Sequence, residues 1–182
     1  MLIEELFSRG VMTMGDSRVD PRRQIAVFPP DAIARFAAER AAAMDEFRWI
    51  AGEWNYENRV PATRLSPAYQ DIGSSRFSLC EKDGWICLHE PGGREIRHIT
   101  YDPFSRHWIY ILTRGAYGLL CSASGWEGDS IVFLGRMLML GIDCEWRMTW
   151  TKKSDDAFGF VNEELLADRR WAYIDEWHFQ RK

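Results

Sequence analysis

A chain of 182 residues and 21.3 kDa falls within the roughly 100–200 residues of a single domain and can bury about two-thirds of its unfolded surface. Its net charge of −4 and pI near 5.6, with arginines scattered along the chain, exclude the basic face by which a nucleic-acid binder neutralises phosphates. No apolar run approaches the ~20 residues of a membrane span, and Met1 to Asp20 has no basic start followed by an apolar core and cleavage site, so a cytoplasmic location without membrane contact is expected.

Residues 1–30 carry Gly10, Gly15 and the charged run Asp16 to Arg23, which cannot bury much surface and predict an irregular arm. Residues 31–182 then form one domain. Pro29-Pro30-Asp31 opens a helix, because the prolines forbid helix upstream and Asp31 is a good N-cap before an alanine-rich run. Ile33, Phe36, Ala37, Ala41, Met44 and Phe47 fall on one stripe of it, leaving Arg35, Glu39 and Asp45 in water. This amphipathic helix is expected to lie against the rest of the domain or plug its end, with contacts in a homodimer as the second possibility.

Gly52 ends the helical spacing, and Trp54 to Arg59 alternates ring or amide with charge, the period of a half-buried strand. About ten strand-like segments follow, near 53–59, 73–81, 85–90, 95–101, 108–113, 117–122, 131–138, 144–151, 159–165 and 171–180. Turn residues separate them: Asp83-Gly84, Pro91-Gly92-Gly93, Asp102 to Ser105, Gly115-Ala116, Glu127 to Asp129, Gly141 and Ser154 to Asp156. Evenly spaced strands without intervening helices predict a mainly β fold, an antiparallel meander closed into an up-and-down β-barrel of about ten strands. The one longer connection, residues 60–70 with Pro61 and Pro67, is the expected mouth loop. Twenty-five rings, 9 Trp, 10 Phe and 6 Tyr, suit strands and the walls of a cavity. Cys80, Cys87, Cys121 and Cys144 lack C-x-x-C spacing and read as free thiols; a Cys80–Cys87 bridge across a hairpin would need an oxidising compartment.

Trp49 to Trp54 with its Gly-x-Trp, the Tyr101-Asp102-Pro103 turn, Trp126 to Asp129 ahead of Ile131 to Gly135, and the terminal Trp171 with Phe179-Gln180-Arg181-Lys182 resemble a bacterial family of calycin-like barrels of unknown function. That family is more distantly similar to nitrobindin and to the lipocalin and fatty-acid-binding-protein group. The resemblance spans residues 47–182 and implies that Trp54 closes one barrel end with Arg181 as its partner. It then follows from alternation that Tyr56 and Asn58 point inward with Trp54. Nitrobindin-like barrels ligate haem through a histidine near the C-terminus, which would be His178. Here His178 alternates with Trp177 and Phe179, and the surrounding motif is absent, so it is expected to face solvent and no cofactor is expected.

His89, His98, His107 and His178 are never three to five residues apart, which argues against a metal site. Acid–base chemistry needs a titratable group in an apolar pocket. Placing the aromatic faces inside makes Tyr56, Asn58, His98, Tyr110, Tyr173 and Asp175 the expected polar lining, beside Trp146. The face of the 95–101 strand stays open, since Ile96, His98 and Thr100 oppose Arg97, Ile99 and Tyr101. Arg97 and Arg147 are candidates to clamp a ligand carboxylate, as in fatty-acid-binding proteins. Asp175 would be costly among rings unless protonated or paired, with a rim bridge to Arg147 or Arg170 as the plainer alternative. The chain has no Gly-x-Ser-x-Gly elbow and no glycine-rich phosphate loop. The first expectation is therefore an intracellular binding protein for a small apolar or aromatic molecule. The alternative is a cofactor-independent isomerase, cyclase or lyase working through His98, Tyr110 or Asp175. A nitrobindin-like haem protein and a solidly filled interaction module come after these.

Overall fold

The computed structural model describes residues 30–63, 67–80, 84–89, 95–115, 117–139 and 142–182. A helix α1 (Pro30–Met44) runs into a 3-10 turn (Asp45–Ile50) and then into eleven strands. These are β1 (Gly52–Val60), β2 (Tyr69–Cys80), β3 (Trp85–His89), β4 (Glu95–Asp102), β5 (His107–Arg114), β6 (Tyr117–Ala123), β7 (Trp126–Glu127), β8 (Ser130–Met139), β9 (Ile142–Ser154), β10 (Ala157–Leu165) and β11 (Trp171–Arg181). Neighbours pair antiparallel in chain order from β1 to β6 and from β8 to β11. β11 returns to β1, and β6 pairs with β8, so ten strands close a ring. β7 is a two-residue stub on β8. Closure leaves no unpaired edge within the ring. Among the described residues no helix is long and apolar enough to cross a membrane.

The ten expected segments all appear as strands. β2 begins at Tyr69, so the longer connection shrinks to residues 61–68, and Glu127, expected in a turn, belongs to the β7 stub. The expected arm, the Pro91-Gly92-Gly93 and Gly141 turns and part of the Asp83-Gly84 turn lie outside the described residues. At the Asp102 turn the carboxylate accepts hydrogen bonds from the Phe104 and Ser105 backbone and from the Ser105 hydroxyl, a side-chain mimic of a turn.

The helix stripe is rotated from the expected one. Ala32, Met44 and Phe47 are buried, whereas Ile33 is 56% exposed and Ala37 and Ala41 face solvent. The 3-10 turn explains the rotation, because it seats Phe47 and Ile50 in the barrel end and thereby orients the helix before it. Phe36 meets Phe104 at 4.1 Å, and Arg40 Nε donates to the Tyr101 carbonyl at 3.1 Å. The Phe47 ring meets Trp108 at 4.6 Å and Trp126 at 4.9 Å. The helix and turn thus stopper one end.

Trp54 is completely buried at that end, and its indole donates to the Ile50 carbonyl at 2.8 Å. Arg181 lies over its face at 4.4 Å and donates to the backbone carbonyls of Trp49, Ala51 and Asp155. Gly52, at φ 138°, has to be glycine, because a Cβ there would stand 2.6 Å from Arg181 Nη1. Inward rings of β9, β10 and β11 then stack in register: Trp150 on Phe158 and Phe160, Phe158 on Phe179 at 4.4 Å, and Phe160 on Trp177. Such pairs add about 0.5–1.5 kcal/mol each beyond their buried area. Cys87 stands opposite Ser78 in the β2–β3 register, the Cys80 side chain lies outside the described residues, and Cys121 and Cys144 are free thiols.

Truncating the stopper and truncating the exposed stripe should differ sharply in urea unfolding. Phe47→Ala is expected to cost about 3–5 kcal/mol, and Ile33→Gln to stay within about 0.5 kcal/mol. Equal losses would contradict this seating of the helix.

Candidate functional site

The end opposite Trp54 gathers the interior polar groups. Alternation from Trp54 carries Tyr56 and Asn58 inward, and pairing of Ile99 with inward Ile86 turns Arg97 inward with it. The Arg97 guanidinium lies 4.7 Å from the Trp177 ring and 5.3 Å from Phe160. Its Nε and Nη1 are buried and have no hydrogen-bond acceptor among the described residues. Asn58 is 3% exposed, and its Nδ2 likewise donates to nothing with acceptable geometry. Buried donors without partners cost about 1–3 kcal/mol each, more when charged, so this is an unusual place to leave three of them.

A fixed relay stands beside these donors. Trp146 Nε1 donates to Asn162 Oδ1 at 3.2 Å, and Asn162 Nδ2 donates to Asp175 Oδ1 at 2.7 Å. The indole can only donate, so it sets the orientation of the amide. Burial pushes the Asp175 carboxyl above the ordinary aspartate range, opposed by the Asn162 amide and by the charge of Arg97, with a weak pull from Asn58. Tyr110 lies deeper, against Phe133 and Trp150, and burial pushes its hydroxyl up to about 12. Tyr56 is half-buried at the mouth: its hydroxyl donates to Asp71 at 3.3 Å, and its ring lies across Gly73, where a Cβ would fall 2.6 Å from the hydroxyl oxygen.

Three expected lining residues lie elsewhere. His98 is on the outer face, with Nδ1 3.9 Å from Cys87 Sγ and its ring edge-on to Trp85, because β4 presents its other face, that of Arg97 and Ile99, to the interior. Tyr173 is 44% exposed. β11 carries a bulge opposite Asn162 and Glu163, which pair with Asp175 and Tyr173 and leave Ile174 extra. One extra residue reverses inward and outward, so Asp175 faces in while Tyr173 faces out. Arg147 is also outside, holding Glu163 through two bonds of 2.6 and 2.7 Å and covering Trp171. Arg170 pairs with Asp168, so neither arginine bridges Asp175. His178 is on the outer face, 3.1 Å from Glu176, directed away from the interior in which haem would have to sit. Among the described residues no three metal-ligating side chains cluster.

Asn162 was absent from the sequence reading. The signal was present: Phe158, Phe160 and Asn162 share one strand face, so an amide extends a line of buried rings. A separate cleft of about 300 Å³ lies outside the barrel at the stoppered end, lined by Glu46, Trp49, Trp126, Gly128, Asp129 and Lys152.

No family model matches the chain, and no curated protein matches it. It is similar in fold to a solved structure. The protein Rv2717c from M. tuberculosis superposes with a TM-score of 0.54 at 9% identity, over 77% of this chain and 97% of that one. A protein of unknown function from the DUF3598 family of Nostoc punctiforme PCC 73102 gives 0.38 at 12% identity, over 74% of this chain and 48% of that one. At such identities the likeness to Rv2717c concerns the fold alone.

The raised carboxyl of Asp175 has a consequence for stability. The folded chain holds this proton more tightly than the unfolded chain, so the contribution is present below the ordinary aspartate range and is lost as pH rises through the folded value. Asp175→Asn removes that loss. The Tm of the variant minus that of the wild type should therefore grow more positive from acid to neutral pH. A difference that does not change with pH would mean that Asp175 ionises as freely as in the unfolded chain.

Proposed function

We propose that the chain is a calycin-like binding barrel that holds a small apolar or aromatic molecule at its open end, with an anionic group of the ligand on Arg97. The observation that carries this reading is the pair of buried, unpartnered N–H donors on Arg97, joined by the free Nδ2 of Asn58. An oxygen of a carboxylate or sulfonate accepts a charge-assisted hydrogen bond from such a donor, and Phe160, Trp177 and Trp146 supply an apolar wall for the remainder of the ligand. Tyr56 stands at the rim, its hydroxyl on Asp71. The free thiols of Cys121 and Cys144 fit a reducing, intracellular setting.

A second reading, proton-transfer catalysis, is favoured by the raised carboxyl of Asp175 among rings. Of the other two candidate groups, His98 is outside the barrel and the deeply buried Tyr110 hydroxyl holds its proton up to about 12, so Asp175 would act without either as a partner.

The aromatic anion 8-anilinonaphthalene-1-sulfonate tests the binding reading by fluorescence titration. Saturable binding is expected, weakened about 10-fold or more in Arg97→Gln, as loss of a charged hydrogen-bond pair implies. Arg147→Gln, on the outer face, should leave it within about twofold. Equal effects of the two substitutions, or none from Arg97→Gln, would overturn the assignment.

A further inference from the structure

The proposed anion site contains a group of the wrong sign. Asp175 and Arg97 project from β11 and β4 into the same end of the barrel, near enough for the guanidinium to influence the carboxyl, yet they form no ion pair. Arg97 is left with free donors, and the partners of Asp175 are neutral, the Asn162 amide at 2.7 Å foremost with weaker pulls from Asn58 and Trp177. An anion that fills the place beside Arg97 would be repelled by an ionised Asp175 in a medium where water screens little. It would meet no such repulsion if that carboxyl carried a proton on Oδ2, while Oδ1 stays on Asn162.

We propose that the open-end site binds its anionic ligand together with a proton: as the negative group settles on Arg97 and Asn58, Asp175 takes one proton from solvent. This rests on the open end being the ligand site. Charge balances, since one ligand anion and one proton enter a site whose guanidinium is unchanged. The relay from Trp146 through Asn162 to Asp175 keeps the carboxyl in place in both states.

The other groups facing Asp175 do not take that proton. Asn58, Asn162, Trp146 and Trp177 do not titrate, and a guanidinium has no acceptor to receive it. Tyr110 keeps its own proton up to about 12, and burial pushes the Cys144 thiol above its ordinary range, so it too stays neutral. Glu164, the next inward position of β10 after Asn162, opposes Trp146, and Asp71 stands exposed at the rim beside Tyr56. These two carboxylates are the rivals that the experiment has to separate.

The test is the affinity for 8-anilinonaphthalene-1-sulfonate at constant ionic strength from about pH 4 to about pH 8, a range over which the sulfonate stays ionised and a raised aspartate changes state. In the wild type the Kd should rise by up to about tenfold per pH unit through the ionisation of Asp175. Asp175→Asn should bind with the acid-form affinity at every pH, and Glu164→Gln and Asp71→Asn should keep the wild-type slope. In the wild type itself, infrared difference spectra should gain a protonated-carboxyl band on ligand addition near neutral pH, a readout that does not depend on a variant folding. A flat wild-type profile, a slope that survives in Asp175→Asn, or no carboxyl band on saturation would each overturn proton coupling while leaving the binding site standing. Absence of any binding by the wild type would overturn both.

Discussion

The contact of Arg181 with Trp54 is the constraint on which the remainder of the barrel depends. A guanidinium over an indole gains cation–π attraction, and here the same group ties together three backbone carbonyls, two before β1 and one in the turn between β9 and β10. First and last strands are thereby locked in register where the ring closes, Trp54 opposite Arg181. That register decides which residues of both strands point inward. A slip of one residue would send Asn58 and Trp177 to the solvent.

From this clasp the interior divides into two halves by chemistry. Near Trp54 the space is filled by rings from the 3-10 turn and from β5, β8, β9, β10 and β11, in edge and stacked contacts. Such a filled half gives a ligand no room and supplies the rigidity against which the other half is built. Toward the opposite end the inward positions change to Asn58, Arg97, Asn162 and Asp175, with Tyr56, Arg97, Asp175 and Trp177 only half-buried although they point inward. Buried N–H groups of a guanidinium are costly to keep without acceptors. Its position against two stacked rings offsets part of that cost, and a bound anion would offset much of the remainder. Asp175 completes the arrangement, since a carboxyl that burial shifts toward its protonated form competes less for the positive charge of Arg97.

Most of the fold was legible in the sequence because alternation and turn residues are local signals. Trp54, Tyr56 and Asn58 share a face by counting in twos, and Asp102 announces its own turn. The site was legible only in part, and the failures have separate causes. Tyr173 and Asp175 share a face in the sequence, but the bulge at Ile174 separates them, and nothing local marks that bulge. His98 and Arg97 were equally good inward candidates, since which face of β4 is inside is decided by pairing of Ile99 with Ile86 across strands. Arg147 was a plausible ligand clamp until Glu163 was found opposite it on the outer face. Ile33 continues a helical stripe on paper, but the seating of Phe47 turns it into water.

The account stands or falls on Arg97 being an unsatisfied cation inside the open end. Its most direct measurement is the proton and nitrogen resonance of the arginine Nε–H groups in labelled protein, followed while 1-naphthoate is added, with the Arg97 signal assigned by its loss in Arg97→Gln. The account predicts that this one signal moves to the hydrogen-bonded region in proportion to bound ligand while that of Arg181 stays fixed. A titration in which naphthoate binds and the Arg97 signal does not move, or in which another arginine responds instead, would contradict it.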